Sequence, residues 1–187
     1  MGKLVVFSAP SGAGKTSVVN GLLSLRNDLM FSVSATSRDM RPGEIDGKNY
    51  YFISPDEFRS KIDKQDFVEW EEVYAGSYYG TLKSELERIW NQNCHVLFDV
   101  DVKGGVHLKE LFAKDTLAIF IAPPSLEVLE QRLRGRNTES EESLAKRLGK
   151  AKWEMEFSSK FDYVVVNDDL SLTIEKVNAL ISDFLAS

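Results

Sequence analysis

The stretch "SAPSGAGKT", Ser8–Thr16, follows the apolar run "KLVVF" at Lys3–Phe7. Small residues crowd a turn that ends in lysine and threonine. The turn sits between what reads as a buried strand and a helix predicted over Lys15–Leu25. Glycines let backbone N–H groups come close to an anion. A helix opening directly after them aims its first amides at the same point. The eight residues Ala9–Thr16 follow the phosphate-loop pattern G-x-x-x-x-G-K-[ST] except at its first position, where Ala9 stands for glycine. In such a loop Ala9, Pro10, Ser11, Gly12, Ala13 and Gly14 form the cradle. Lys15 reaches the β- and γ-phosphates, and the Thr16 hydroxyl ligates Mg²⁺.

Outward from this turn, apolar runs alternate with helical periods. Lys3–Ser8, Met30–Thr36, His95–Asp101, Leu117–Ala122 and Tyr163–Asp168 read as strands. Several are continuously apolar, as strands of a parallel sheet covered on both faces must be. Helices are expected at Leu82–Gln92, Val106–Phe112, Leu126–Arg134, Glu142–Phe157 and Leu172–Leu185. The alternation implies a three-layer α/β fold.

Two regions interrupt it. Between Arg38 and Thr81 lie "YYFIS", "SPDEF" and "FVEWEEVYAGSYYG". Ser54, Pro55 and Glu57 form a capping box that predicts a short helix, and the aromatic-rich runs around it read as antiparallel strands. This is a small inserted subdomain. The second interruption is "RLRGRNTESEESLAKRLGKAKWE", an arginine-dense helix–loop–helix in which Thr138 and Glu141 cap the second helix.

Composition narrows the function. The chain has 187 residues, 43% hydrophobic and 28% charged, with a formal net charge of −6. That balance argues against a nucleic-acid duplex as partner, because phosphate backbones need a basic face. No apolar run approaches the roughly 18 residues of a membrane span. The lone cysteine, Cys94, excludes an internal disulfide, fits a reducing cytoplasm and is expected to be buried and inert. His95 and His107 stand apart and read as structural, and without a Cys/His cluster no zinc site is expected.

Arg38 and Arg41 fall in "SVSATSRDMRPGEIDGKNYYF", Tyr50 follows them in the same stretch, and Tyr79 lies in "SYYGT". Guanidinium forks and phenol hydroxyls suit a phosphate. Asp99 and Asp101 stand at the carboxyl end of a predicted strand, where open α/β sheets bind ligands. They can orient water on Mg²⁺ or touch substrate.

These stretches, with "APSGAGKT", "VLFDVDVKGG", "IFIAPPSLEVLEQRLRGRNTESEESLAKRL" and "VVVNDD", resemble guanylate kinase over roughly Leu4–Asp169, in that family's order. The departures are Ala9 and Lys103, which stands where the family commonly carries glutamine. The resemblance implies a P-loop nucleoside-monophosphate-kinase fold with three parts. These are a parallel-sheet core (1–33, 87–125 and 156–187), a mixed α/β GMP-binding subdomain (34–86) and a helical lid (126–155). It implies transfer from Mg·ATP to GMP, with dGMP as a further acceptor, by a cytoplasmic monomer or homodimer in purine metabolism. By motif, Ser34, Glu69, Thr81 and Asp101 would surround guanine, and Arg38, Arg41, Tyr50 and Tyr79 would hold the GMP phosphate. Arg136 and Arg147 would close from the lid, and Asn167 would approach adenine. Two rivals remain: a guanylate-kinase-like scaffold that binds proteins, and a P-loop kinase for another acceptor. The intact Gly12, Gly14, Lys15 and Thr16 speak against the first, and Glu69 with Ser34 against the second.

Overall fold

"LVVFS" forms β1 (Leu4–Ser8), and all of it is buried. β8 (Thr116–Ala122) is buried throughout as well. The two pair in parallel, from Leu4 opposite Thr116 to Ser8 opposite Phe120. β8 also pairs in parallel with β9 (Tyr163–Val166). With β2 (Leu29–Phe31) and β7 (His95–Asp99) they form a five-stranded sheet in the order β2-β7-β1-β8-β9. The computed structural model describes residues 2–135 and 141–187, with Tyr74 by its backbone alone. Helix α4 (Val102–Phe112) packs on β1 and β8, and α1 (Lys15–Leu25) packs on α7 (Leu170–Ala186). This is the α/β architecture that the alternating pattern implies.

The described chain divides into two compact units. One holds Gly2 and Met30–Val96, and the other holds Lys3–Leu29 and Leu97–Ser187. The first unit contains a second, four-stranded sheet, of β4 (Tyr51–Phe52), β3 (Ala35–Thr36), β6 (Ser77–Leu82) and β5 (Phe67–Tyr74) in that order. β6 runs antiparallel to both β3 and β5. Helix α2 (Pro55–Asp63) starts where the capping box predicts, with Ser54 Oγ accepting from the Glu57 amide at 3.1 Å. Its Phe58 is fully buried and stacks on Phe67 at 4.3 Å, which seats the helix on the sheet. Helix α3 (Lys83–Trp90) follows β6.

Three expectations need correction. The predicted strand Met30–Thr36 is two strands in two sheets, β2 and β3. A chain that changes sheets cannot ladder through the crossing, so its backbone groups need other partners. Here Glu85 of α3 supplies one, accepting from the Val33 amide at 2.9 Å. Burial raises the Glu85 carboxyl, but Arg88, the Val33 amide and the Tyr51 hydroxyl together outweigh it and hold it below the usual range. Second, the strand expected through Asp101 ends at Asp99, and α4 begins at Val102, four residues before its predicted start. Asp101 is its N-cap, accepting from the Gly104 amide at 2.8 Å. Gly104 and Gly105 disguised this helix, yet Gly105 is demanded by packing. A Cβ there would lie 2.6 Å from Ser8 Oγ and 3.0 Å from the Phe161 ring. Third, Cys94 is half-buried rather than buried.

Candidate active site

β1 delivers the chain to the phosphate loop from a fully buried strand. The loop then turns through Gly12 at φ 92° and Gly14 at φ 93°, conformations that favour glycine over any L residue. Ala9 is not among the residues with positive φ, so the backbone there accommodates a methyl group at the pattern's first position without strain. Gly14 caps α1 without a side-chain hydrogen bond, and the first turn of α1 carries no acidic residue. Neither an N-cap side chain nor a first-turn carboxylate of α1 therefore occupies the opening amides, and the positive dipole end of the helix suits an external anion.

Lys15, the first residue of α1, donates to the Val100 carbonyl at 3.1 Å and forms an ion pair with Asp99 at the end of β7. Ser8 Oγ donates to the carbonyls of Val100 and Asp101, at 3.1 and 2.9 Å, fixing that turn against the loop. Asn167 follows β9 and is buried, and its amide donates to the Ala13 carbonyl at 2.7 Å. Ala9–Gly12, Gly14–Thr16, Asp99 and Asp101 line one cleft of about 350 Å³. Thr16 is exposed at it. Among the described residues no group of three or more His, Cys, Asp or Glu forms a metal cage. A phosphate-bound magnesium ion keeps several waters and takes one or two protein ligands, so this donor set fits it.

Glu154 lines the same cleft, and the sequence pattern gave it no role. It sits near the end of α6 (Glu141–Glu156) and is 5% exposed, and its Oε2 is buried without a hydrogen-bond partner among the described residues. Burial pushes its carboxyl above the usual range, only partly offset by Lys150 and Lys15. A group raised in this way favours the folded state below its unfolded pKa, and that contribution is lost as pH rises through the folded value. Glu154→Gln is therefore expected to raise Tm at pH 7 by a few degrees, for about 1 kcal/mol. The gain should vanish near pH 4. Thermal unfolding from pH 4 to 8 measures this, and a pH-independent difference would contradict it.

In the first unit, Arg38 is held before any ligand arrives. Its two terminal nitrogens donate to Glu44 at 2.7 and 2.5 Å, and its guanidinium lies 5.1 and 5.4 Å from the Tyr50 and Phe52 ring centres. Tyr79 meets Tyr50 edge to face at 5.9 Å. Glu44 also accepts from the Arg41 amide at 2.8 Å, while the Arg41 side chain is exposed. The Arg38 guanidinium, then the Arg41 amide, hold the Glu44 carboxyl down to about 2. In the R-x-x-R-x-G-E run of Arg38–Glu44 the sequence pattern gives Glu44 no role of its own, and here it braces the Arg38 guanidinium. Glu69 on β5 is half-buried and directly opposite Thr81 on β6. Thr81 is fully buried, and its hydroxyl has no partner among the described residues. Ser34 is half-buried, and its carbonyl accepts from the Tyr51 amide.

Of the two expected lid arginines, Arg147 is half-buried on α6. Arg136 and the Thr138 cap lie outside the described residues. α5 (Leu126–Arg134) packs on α6 through a core of Leu129, Leu133, Leu144 and Ala151.

A family model described as "Guanylate kinase" matches residues 1–184. The chain is 49% identical to a guanylate kinase of Salinibacter ruber over 184 residues, covering 98% of this chain and 97% of that one. It is 49% identical to a guanylate kinase of Porphyromonas gingivalis over the full length of both. The crystal structure of guanylate kinase from Anaplasma phagocytophilum superimposes with a TM-score of 0.77 at 31% identity, covering 100% of this chain and 87% of that one. Likeness that runs from end to end, at almost half of all positions, shows that the chain belongs to the guanylate kinase family.

Proposed function

We propose that this chain transfers the γ-phosphoryl group of ATP to GMP, giving ADP and GDP, within purine nucleotide metabolism and the recycling of GMP. The observation that carries the reading is the uncapped helix behind two positive-φ glycines, with Lys15 at its first residue. It fits the β- and γ-phosphates of ATP. The acceptor oxygen on the GMP phosphate is already ionised, so no general base is needed. That oxygen bonds to the γ-phosphorus, the bond from phosphorus to the β–γ bridging oxygen breaks, and its electron pair leaves with ADP. Lys15 holds the migrating group, with Arg147 and Arg136 as further cations on the ATP phosphates. A magnesium ion here would supply charge neutralisation on the phosphates. The Thr16 hydroxyl would hold the ion, with Asp99 and Asp101 beside it to orient its water.

In the first unit, Arg38, Arg41, Tyr50 and Tyr79 take the GMP phosphate. The support is the bidentate Arg38–Glu44 pair, which fixes the guanidinium in advance and lowers the entropy lost on binding. Ser34, Glu69 and Thr81 take the guanine, supported by the buried, unpartnered Thr81 hydroxyl. No described helix is long and apolar enough to cross a membrane. The reading has the chain act in the cytoplasm, as a monomer or homodimer, with dGMP as a second acceptor. A coupled assay of ADP release, run with ATP and each of GMP, dGMP, AMP, UMP and CMP, tests it. Release is expected with the two guanine nucleotides, and release independent of acceptor would refute the assignment.

A further inference from the structure

Asn167 is tied down on three sides. Its backbone N–H donates to the Ala122 carbonyl of β8 at 2.8 Å. Its carbonyl accepts from Arg132 Nη2 of α5 at 3.0 Å. Its side-chain amide, 5% exposed as a residue, donates to the Ala13 carbonyl at 2.7 Å. Ala13 is itself fully buried, and it precedes the glycine that caps α1. A Cβ on Gly14 would fall against the Asn167 amide nitrogen, so the amide occupies the space that glycine leaves. Position 14 is thus glycine for two reasons, its φ and this neighbour.

We propose that Asn167 is a positioning residue for the triphosphate. It fixes the Ala13–Gly14 turn so that the amides opening α1 face phosphate oxygens before any ligand binds. One of its amide hydrogens is committed to the Ala13 carbonyl, which holds the side chain against the loop, and its contribution to binding is assigned to the phosphates rather than to the adenine base. The backbone anchors at Ala122 and Arg132 make the side chain a rigid strut between the end of the sheet, α5 and the loop. Rigid, pre-aimed donors spare the ligand the cost of ordering them. This inference rests on the reading of the loop as the ATP phosphate site.

Tripolyphosphate separates the two roles, because it carries the phosphates and no base. Calorimetric titrations with Mg·tripolyphosphate, Mg·ATP and GMP are run on the wild type, Asn167→Ala and Asn167→Leu. The leucine variant keeps the side chain's shape without the donor, and thermal unfolding checks that each variant folds. Loss of a buried hydrogen bond that leaves the Ala13 carbonyl unpaired is expected to weaken both triphosphates about tenfold or more. GMP affinity should stay unchanged. Weakened ATP with unchanged tripolyphosphate would make Asn167 a base contact and overturn the proposal. Unchanged affinity for both would overturn it as well, as would equal losses for GMP, which indicate general damage to the fold. If the wild type binds neither triphosphate, the phosphate-site reading itself fails, and this outcome is distinct because it precedes any comparison of variants.

Discussion

GMP is expected to outcompete AMP as acceptor by ~10⁴-fold or more, and Glu69→Gln to weaken GMP binding by about 10- to 100-fold. Guanine presents an O6 acceptor, an N1–H donor and an N2 amine. A carboxylate accepts from N1–H and N2–H together, and a hydroxyl donates to O6. Adenine has no amine at position 2, and its N1 lone pair would face the carboxylate. The charge would then be desolvated against a base edge that offers it no donor, which is the situation in which a site rejects an analogue most strongly. On the proposed reading Glu69 does this work. It is half-buried on β5, its neighbour Trp70 is 47% exposed, and Thr81 opposite it carries a buried hydroxyl that lacks a partner. In Glu69→Gln the amide keeps one acceptor but sets its NH₂ against a guanine donor. Calorimetry with GMP compares the two proteins, and equal dissociation constants would show that Glu69 does not read the base.

Lys15→Ala is expected to lower kcat by at least ~10²-fold. Phosphoryl transfer needs little covalent help from a protein, so a pre-positioned cation on the migrating group supplies a large part of the acceleration. Without ligand, Lys15 is held by Asp99 and the Val100 carbonyl, in the cleft that the loop lines. Lys15 and Asp99 are 20% and 21% exposed, so the pair is partly screened. Its loss should cost below about 1 kcal/mol of stability. A steady-state assay together with a denaturant titration separates the two effects. Activity within a few-fold of the wild type would remove Lys15 from the phosphate site.

The same logic distinguishes the two arginines of the R-x-x-R-x-G-E stretch. Arg38 is prepaid in order: Glu44 fixes its fork, and Tyr50 and Phe52 support its face. Arg41 gives Glu44 only its backbone amide and leaves its side chain in solvent. On the proposed reading the GMP phosphate would meet one braced cation, Arg38, and one exposed cation, Arg41.

The sequence by itself determined the parts that depend on neighbours along the chain. Continuous apolar runs made β1 and β8 buried parallel strands, because such runs leave no face for water. Gly12, Gly14, Lys15 and Thr16 fixed the loop, because positive φ and a helix start are local properties. Ser54, Pro55 and Glu57 fixed the start of α2 for the same reason. Tertiary structure decided what depends on residues far away in sequence. The single run Met30–Thr36 became two strands in two sheets, since α3 brings Glu85 to the Val33 amide across 52 positions. α4 began at Val102, capped by Asp101, and it runs through glycines that disfavour a helix because Ser8 and Phe161 leave no room for a Cβ at position 105. Asn167 turned its amide to a loop 154 residues away, and Glu154 became a buried carboxyl in the cleft beside that loop. No periodicity announces such contacts, because each is set by which surfaces the packed sheet and helices bring within hydrogen-bond reach.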